Sequence, residues 1–350
     1  MIKDFNIEQF LDLTNDSTET RVARRKTNKK TGVKHFDICL MNPPYGDVGN
    51  NTIHLKFVKE CLNVCNSIVA IFPFMFTIQP TNNTTRKYKE ACNGRLVEVE
   101  EVNSNVFKDT AMKNVGIYYF ENTNNNNIKI KYLNKEEDNI EDFTKLTNFS
   151  TYEKNIIKYL DNNGVIDGCW AGGHDHFTLK SLKRKGITDE NEAWKIIDNE
   201  IEKSCKNIKQ NKVSLMLTET SFGANGKFIQ GDAGEIFNNK NEVVEYMKKH
   251  GRKSSAGFIF MMFDTKHEAE NCKIALQNPI LRFTLYRTQH GRHIGLKHNY
   301  KYVPNIDWSN DNVKTDEGLL EICGCPKDKC KEYADYCKHI INELDKGNRL

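Results

Sequence analysis

The stretch FDICLMNPPYGD, Phe36 to Asp47, constrains the fold of this chain more than any other. Phe36, Ile38, Cys39, Leu40 and Met41 make a short apolar run closed by turn residues, the pattern of a strand buried in a covered sheet. Pro43 and Pro44 then stop the ladder, because proline has a fixed φ and no amide hydrogen and holds the residue before it extended. The outcome is a stiff loop presenting Asn42 and Tyr45 at a strand's carboxyl end. Open α/β sheets place their ligand sites at such ends.

The residues that follow extend this into a sheet. Thr52 can cap a helix in which Ile53, Phe57, Cys61 and Cys65 recur every fourth residue, with Val58 and Leu62 widening the apolar face. SIVAIFPFMF, Ser67 to Phe76, is a second buried strand, and the strand, helix, strand order predicts a parallel crossover. QPTNNTTRKYKEACNG is a polar loop with a short helix at its end. RLVEVEEV and NVGIYYF flank VNSNVFKDTAMK and predict that the sheet closes with an edge strand or hairpin, and the asparagine run of ENTNNNNIKI favours turn or disorder. Farther on, the β-like runs VSLMLTETSF and SAGFIFMMF mix with the helical EAENCKIALQN and KCKEYADYCKHIINEL, as in an α+β domain.

Composition narrows the function classes. With 38% hydrophobic and 28% charged residues, the chain has no apolar run near the roughly 18 residues of a membrane span. The N-terminus MIKDFNIEQFLDL lacks a signal-peptide layout, and eleven cysteines without one predict free thiols in a reducing, cytoplasmic setting. A net charge of +4 names no partner, but its distribution is uneven. Residues 21 to 36 carry seven Lys or Arg and no acid, and residues 273 to 303 carry six and no acid. Such blocks can track phosphates or form a solvated basic surface. No metal is expected: Cys323, Cys325, Cys330 and Cys337 lack a standard zinc spacing and read as core thiols, and His174 and His176 have no third ligand at a recognisable spacing.

LMNPPYG resembles the signature loop of methyltransferases that act on planar exocyclic or amide nitrogens with S-adenosylmethionine. VFKDTAMKNVGIYYF is similar to the later part of DNA adenine N6-methyltransferases of restriction–modification systems, and the tail, with its VP..DW segment followed by TDE, resembles the end of the type II enzymes. The resemblance is strongest over residues 36 to 120 and 255 to 325. It implies a partial doubly wound, Rossmann-like methyltransferase sheet followed by an α+β target-recognition domain. Residues 1–145 would be the C-terminal part of the catalytic domain, 146–310 the DNA target-recognition domain, and 311–350 a C-terminal helical segment.

The resemblance also assigns roles. The Asn42 side-chain oxygen and the Pro43 carbonyl would accept the hydrogens of the target amino group, Pro44 would keep the loop rigid, and Tyr45 would stack on a base swung out of the duplex. Phe107 is the candidate for the opposite stacking face, with a plain core phenylalanine as its other reading. Gln9 and Phe10, in IEQFLDL, stand where the family meets the cofactor's adenine, Gln9 replacing the usual Asp. The basic segment gives Arg282, Arg287, Arg292, Lys297 and Lys301 as DNA contacts, interleaved with Phe283, Tyr286, Tyr300 and Tyr302.

One departure is large. The family's glycine-rich cofactor loop precedes NPPY, and none of the 41 residues before Asn42 contains it. The chain is therefore expected to be a fragment, one subunit of a split enzyme or a degenerate relative. Its expected partners are double-stranded DNA and an N-terminal cofactor-binding subunit, with no membrane. Two other readings stay open: an NPPY enzyme acting on protein glutamine or RNA guanine, and a non-catalytic DNA-binding remnant.

Overall fold

The computed structural model describes residues 36–43, 53–74, 83–103, 114–147, 149–171, 179–218, 234–250, 258–288 and 302–345. Six strands, β1 (Phe36–Met41), β2 (Cys65–Pro73), β3 (Leu96–Asn103), β4 (Asn114–Glu121), β5 (Ile128–Lys131) and β6 (Glu137–Ile140), form one sheet in the order β1-β2-β4-β3-β5-β6. β1 and β2 are parallel, as are β3 and β5, whereas β4 is antiparallel to both of its neighbours and β6 to β5. Hence β1, β2, β3 and β5 run one way, and β4 and β6 the other. The sheet is mixed α/β.

Two helices, α1 (Ile53–Cys61) and α2 (Asn83–Cys92), cover this sheet. Leu55, Val58, Leu62, Tyr88 and Cys92 bury against Ile68, Phe72, Tyr118, Phe120 and Ile130, so the apolar sides of helices and sheet close one core. Three expectations change here. β1 is a strand, but it is not buried: Phe36 is 49% and Leu40 39% exposed. Among the described strands it pairs only with β2, so Cys39 and Met41 pack inward while alternate residues face away. The helix face is also rotated, since α1 buries His54, Leu55 and Val58 and leaves Phe57 45% exposed. Cys65, counted in that face, belongs to β2.

The sheet's end is the third change. The β3–β4 hairpin does not form its edge, because β4 fills the gap between β2 and β3 and leaves the far side of β3 to accept β5. IKIK then alternates, with Ile128 and Ile130 fully buried, and only residues 122–127 of the asparagine-rich stretch lie outside strands.

The second half is built on a four-stranded antiparallel sheet, β7 (Gly168–Ala171), β8 (Val213–Thr218), β9 (Glu235–Phe237) and β10 (Phe258–Phe263), in the order β7-β10-β8-β9. Its helices are α3 (Thr151–Asp161), α4 (Leu179–Arg184), α5 (Glu190–Ser204), α6 (Lys240–His250), α7 (Lys266–Ala275), α8 (Pro279–Thr288), α9 (Asp316–Ile322) and α10 (Lys327–Asp345). Both faces of the sheet are apolar, which explains the unbroken runs VSLML and FIFMMF. Leu215, Leu217, Ile259 and Met261 enter a core with α3, α7, α8, α9 and α10, and Met216 and Phe260 enter another with α4, α5 and α6. The result is three layers.

Residues 311–345 share that larger core with residues 149–166 and 259–286, through Leu319, Leu320, Cys337, Ile340 and Ile341. The VP..DW segment is built in as well: Val303 and Trp308 are buried, and Val303 accepts the Ile166 amide at 3.1 Å. Cys323, Cys325, Cys330 and Cys337 are buried members of the same core. No helix among the described residues is long and apolar enough to cross a membrane.

Candidate functional site

Because β1, β2 and β3 run in one direction, their carboxyl ends meet at one end of the sheet. Asn42 and Pro43 follow Met41 directly, with Asn42 exposed and Pro43 buried. The register sets Pro73 and Val102 both opposite Val115, so β2 and β3 end level, and it places Met41 beside Ala70, so β1 stops three residues before the end of β2. Three connecting segments leave this end: the NPPY loop, residues 75–82 and residues 104–113. Pro44, Tyr45 and Phe107 lie on them, outside the described residues, as do Gln9 and Phe10.

Behind the strand ends is an aromatic base. The rings of Phe72 and Tyr118 stack at 4.0 Å with 7° between planes, and the Tyr118 hydroxyl donates to the Phe74 carbonyl at 3.5 Å. His54 meets Phe72 at 5.4 Å, also fully buried. Gly116 makes room for this stack, because a Cβ there would lie 2.3 Å from the Tyr118 ring. The platform is closely packed.

The described part of the predicted basic surface has other duties. Arg282 donates twice to Asp345, at 3.0 and 2.7 Å, tying α8 to the end of α10. Arg287 is inside the protein, its side chain 4% exposed, with Nη1 donating to the Glu101 carboxylate at 2.8 and 3.0 Å. This corrects the assignment of Arg287 as a DNA contact: a guanidinium enclosed by two carboxylates has no side left for a phosphate. Phe283 and Tyr286 are core residues, and Tyr302 packs edge-on against Phe149 at 5.8 Å. Phe283 and Tyr286 lie on α8, where residues 280–281 and 283–287 are all buried, so the interleaving of basic and aromatic residues there marks a helix enclosed by the protein. Arg292, Lys297 and Lys301 lie outside the described residues, as do His174 and His176.

The sequence reading missed the acids that hold Arg287. Glu101 is fully enclosed near the end of β3, and Glu153 opens α3 in a capping box with Ser150. Burial lifts the Glu153 carboxyl above its ordinary range, and the nearby Arg287 guanidinium only partly offsets this. For Arg287 itself burial pulls the other way, but Glu101 and Glu153 outweigh it and strengthen the charged form. A signal was present in STYE, Ser150 to Glu153, which has the capping-box spacing.

No cradle for a nucleoside cofactor forms among the described residues. A methionine carboxylate and a ribose need backbone amides at a glycine turn or a carboxylate at a strand end. The described glycines with a crowded Cβ, Gly94, Gly116, Gly168, Gly234 and Gly318, meet neighbouring protein atoms and make room for the chain itself. Asn42 offers a single carboxamide and backbone amide, and Pro43 has no amide hydrogen at all.

No protein-family model matches this chain, and no curated protein sequence does. Among solved structures it is similar to the type IIL restriction–modification enzyme MmeI in complex with DNA, at 10% identity and a TM-score of 0.35, covering 87% of this chain and 54% of that one. It is also similar to the type IIG restriction endonuclease BpuSI, at 12% identity and a TM-score of 0.30, covering 94% of this chain and 52% of that one. The chain thus spans about half the length of the restriction–modification enzymes to which it is similar.

Proposed function

We infer that this chain carries the acceptor side of a DNA adenine N6-methyltransferase of the restriction–modification type. The observation that carries the reading is the placement of Asn42 and Pro43 at the carboxyl end of β1, the same end of the sheet at which β2 and β3 finish, with Asn42 exposed. An adenine amino nitrogen is a poor nucleophile, because its lone pair is delocalised into the ring. Two acceptors on its hydrogens, the Asn42 side-chain oxygen and the Pro43 carbonyl, favour the pyramidal form that exposes the lone pair as the methyl group arrives. This is stabilisation aimed at the transition state. Tyr45 and Phe107 would hold the extruded base between them, with Pro44 fixing the loop. Arg292, Lys297 and Lys301 remain the phosphate and base contacts of this proposal.

S-adenosylmethionine would supply the methyl group, and the described residues do not build its site. Gln9 and Phe10, or a second polypeptide, would have to do so. The test is transfer of a tritiated methyl group to duplex DNA, by the chain alone and beside the product of the adjacent upstream reading frame, with DNA affinity titrated in parallel. Asn42→Ala should abolish transfer and leave affinity within about threefold, since a lost transition-state contact lowers turnover and not binding. Retained transfer would sink the role of Asn42. Labelling of protein or RNA in place of DNA would move the reading to the other NPPY enzymes.

A further inference from the structure

The first half has one hydrophobic core and the second half two, and a buried polar cluster links the first-half sheet to the elements around the larger of those two. Arg287, on α8, reaches Glu101 on β3, 186 residues earlier, and its Nη2 lies 3.5 Å from Glu153 at the start of α3. Glu101 also accepts the Leu133 amide at 3.2 Å, just beyond β5. Glu153 accepts the Ser150 amide at 2.8 Å, the Tyr336 hydroxyl of α10 at 3.3 Å and the Asn134 side-chain amide at 3.3 Å. Asn134 in turn donates to the Tyr336 hydroxyl. One guanidinium therefore joins β3 and the turn after β5 to α3, α8 and, through Tyr336, α10.

A buried triad of this kind is a poor source of stability, since desolvating three charges cancels most of their attraction. Its value is geometric. A planar guanidinium with Nη1 on the Glu101 carboxylate and Nη2 facing Glu153 permits a single approach, whereas apolar surfaces can slide. The positions of the partners say what is aligned. Arg287 is one residue from the end of α8, where the basic segment 289–301 departs. Glu101 is two residues from the end of β3, where residues 104–113 depart. Phe72, Gly116 and Glu101 lie in one cross-strand row, and continuing the β1 register past Met41 sets Pro43 at its head. Three strand spacings, roughly 14 Å, then separate the acceptor loop from the guanidinium's partner.

We propose that Arg287 is a positioning residue, whose grip on Glu101 and Glu153 fixes the offset between the carboxyl end of α8 and the strand ends carrying Asn42. What the alignment serves, delivery of a DNA base to the acceptor oxygens, rests on the reading above. The joint itself does not.

The experiment uses the full chain, with hydrogen exchange read by mass spectrometry beside the methyl-transfer and DNA-binding assays. Arg287→Lys keeps the charge but has one nitrogen and cannot span Glu101 and Glu153 together, and Glu101→Gln keeps the shape but loses the charge. Each should speed exchange in β3 and α8 together, leave DNA affinity within about threefold, and lower transfer at saturating DNA by roughly tenfold to a hundredfold, as a small misplacement does. Glu153→Gln, which preserves the capping box, should shift exchange and transfer in the same direction but by less, because it weakens only the longer 3.5 Å contact. The proposal is overturned if exchange in β3 and α8 rises separately or not at all, or if transfer falls no further than the folded fraction. Wild-type chain that transfers no methyl group to DNA even beside the upstream product would end the functional reading, and the exchange arm would still decide the joint.

Discussion

Asp316 illustrates how a single side chain can set the pH response. It opens α9 and accepts the Ile280 amide at 3.0 Å, yet burial raises its pKa to about 6, with that hydrogen bond and Lys338 opposing only in part. The folded protein thus holds this proton more tightly than the unfolded chain, whose carboxyl has the ordinary value of 3.8. Its contribution to stability is fully present below that value and is lost as the pH rises through about 6. Asp316→Asn, which keeps an acceptor for Ile280, should therefore be more stable than wild type by about 1–2 kcal/mol at pH 7 and converge with it near pH 4. Urea midpoints at the two pH values check this. Gly116 offers a second case. Its replacement by Ala pushes a methyl group into the Tyr118 ring, which is stacked and fully buried, so Gly116→Ala should cost about 1–3 kcal/mol in the same titration.

Between elements, the clamp from α8 to α10 separates two roles that the sequence alone confounds. Arg282 looked like a phosphate contact because it sits in a basic run, but its side chain is only 13% exposed and its fork is filled by Asp345. Arg282→Ala and Asp345→Ala should each lower stability by about 1–3 kcal/mol, and the double variant should add little to either. Neither should change the salt dependence of DNA binding, because no counterion is released at a site already neutralised. A fall of about one in the salt slope for Arg282→Ala would return it to the DNA surface. Single elements were largely legible: β1, β2, β8, β10, α7 and α10 fall where their apolar patterns put them. Faces were less so. The burial of Val58 and exposure of Phe57 depend on where α1 meets β2, and a periodic pattern leaves that phase open by one residue.

At the scale of the whole molecule, what the sequence conceals is pairing at long range. Asn42 and Pro43 could be placed at a strand's end from local chemistry, since prolines stop a ladder wherever it lies. That β4 would lie between β2 and β3, or that Arg287 would find Glu101, depends on contacts across tens to hundreds of residues, and no motif encodes these. Likewise residues 311–345 read as a separate tail, because a helix pattern marks an apolar face without naming the surface that it meets.

The inserted strand also dictates an order of assembly. β2 and β3 are not neighbours, so after residue 103 has left the ribosome the two still lack the element between them, and an opening of roughly 10 Å would have to stay unfilled. Ile68, Phe72 and Val99 can be sealed from water only when Asn114–Glu121 threads in antiparallel to both sides at once. The platform beneath the acceptor loop, with Tyr118 as half of its stacked pair, is thus completed late in synthesis of the first half. A nascent chain shorter than about 120 residues presents two open strand edges, the state in which a sheet protein is most exposed to wrong pairing and to capture by chaperones.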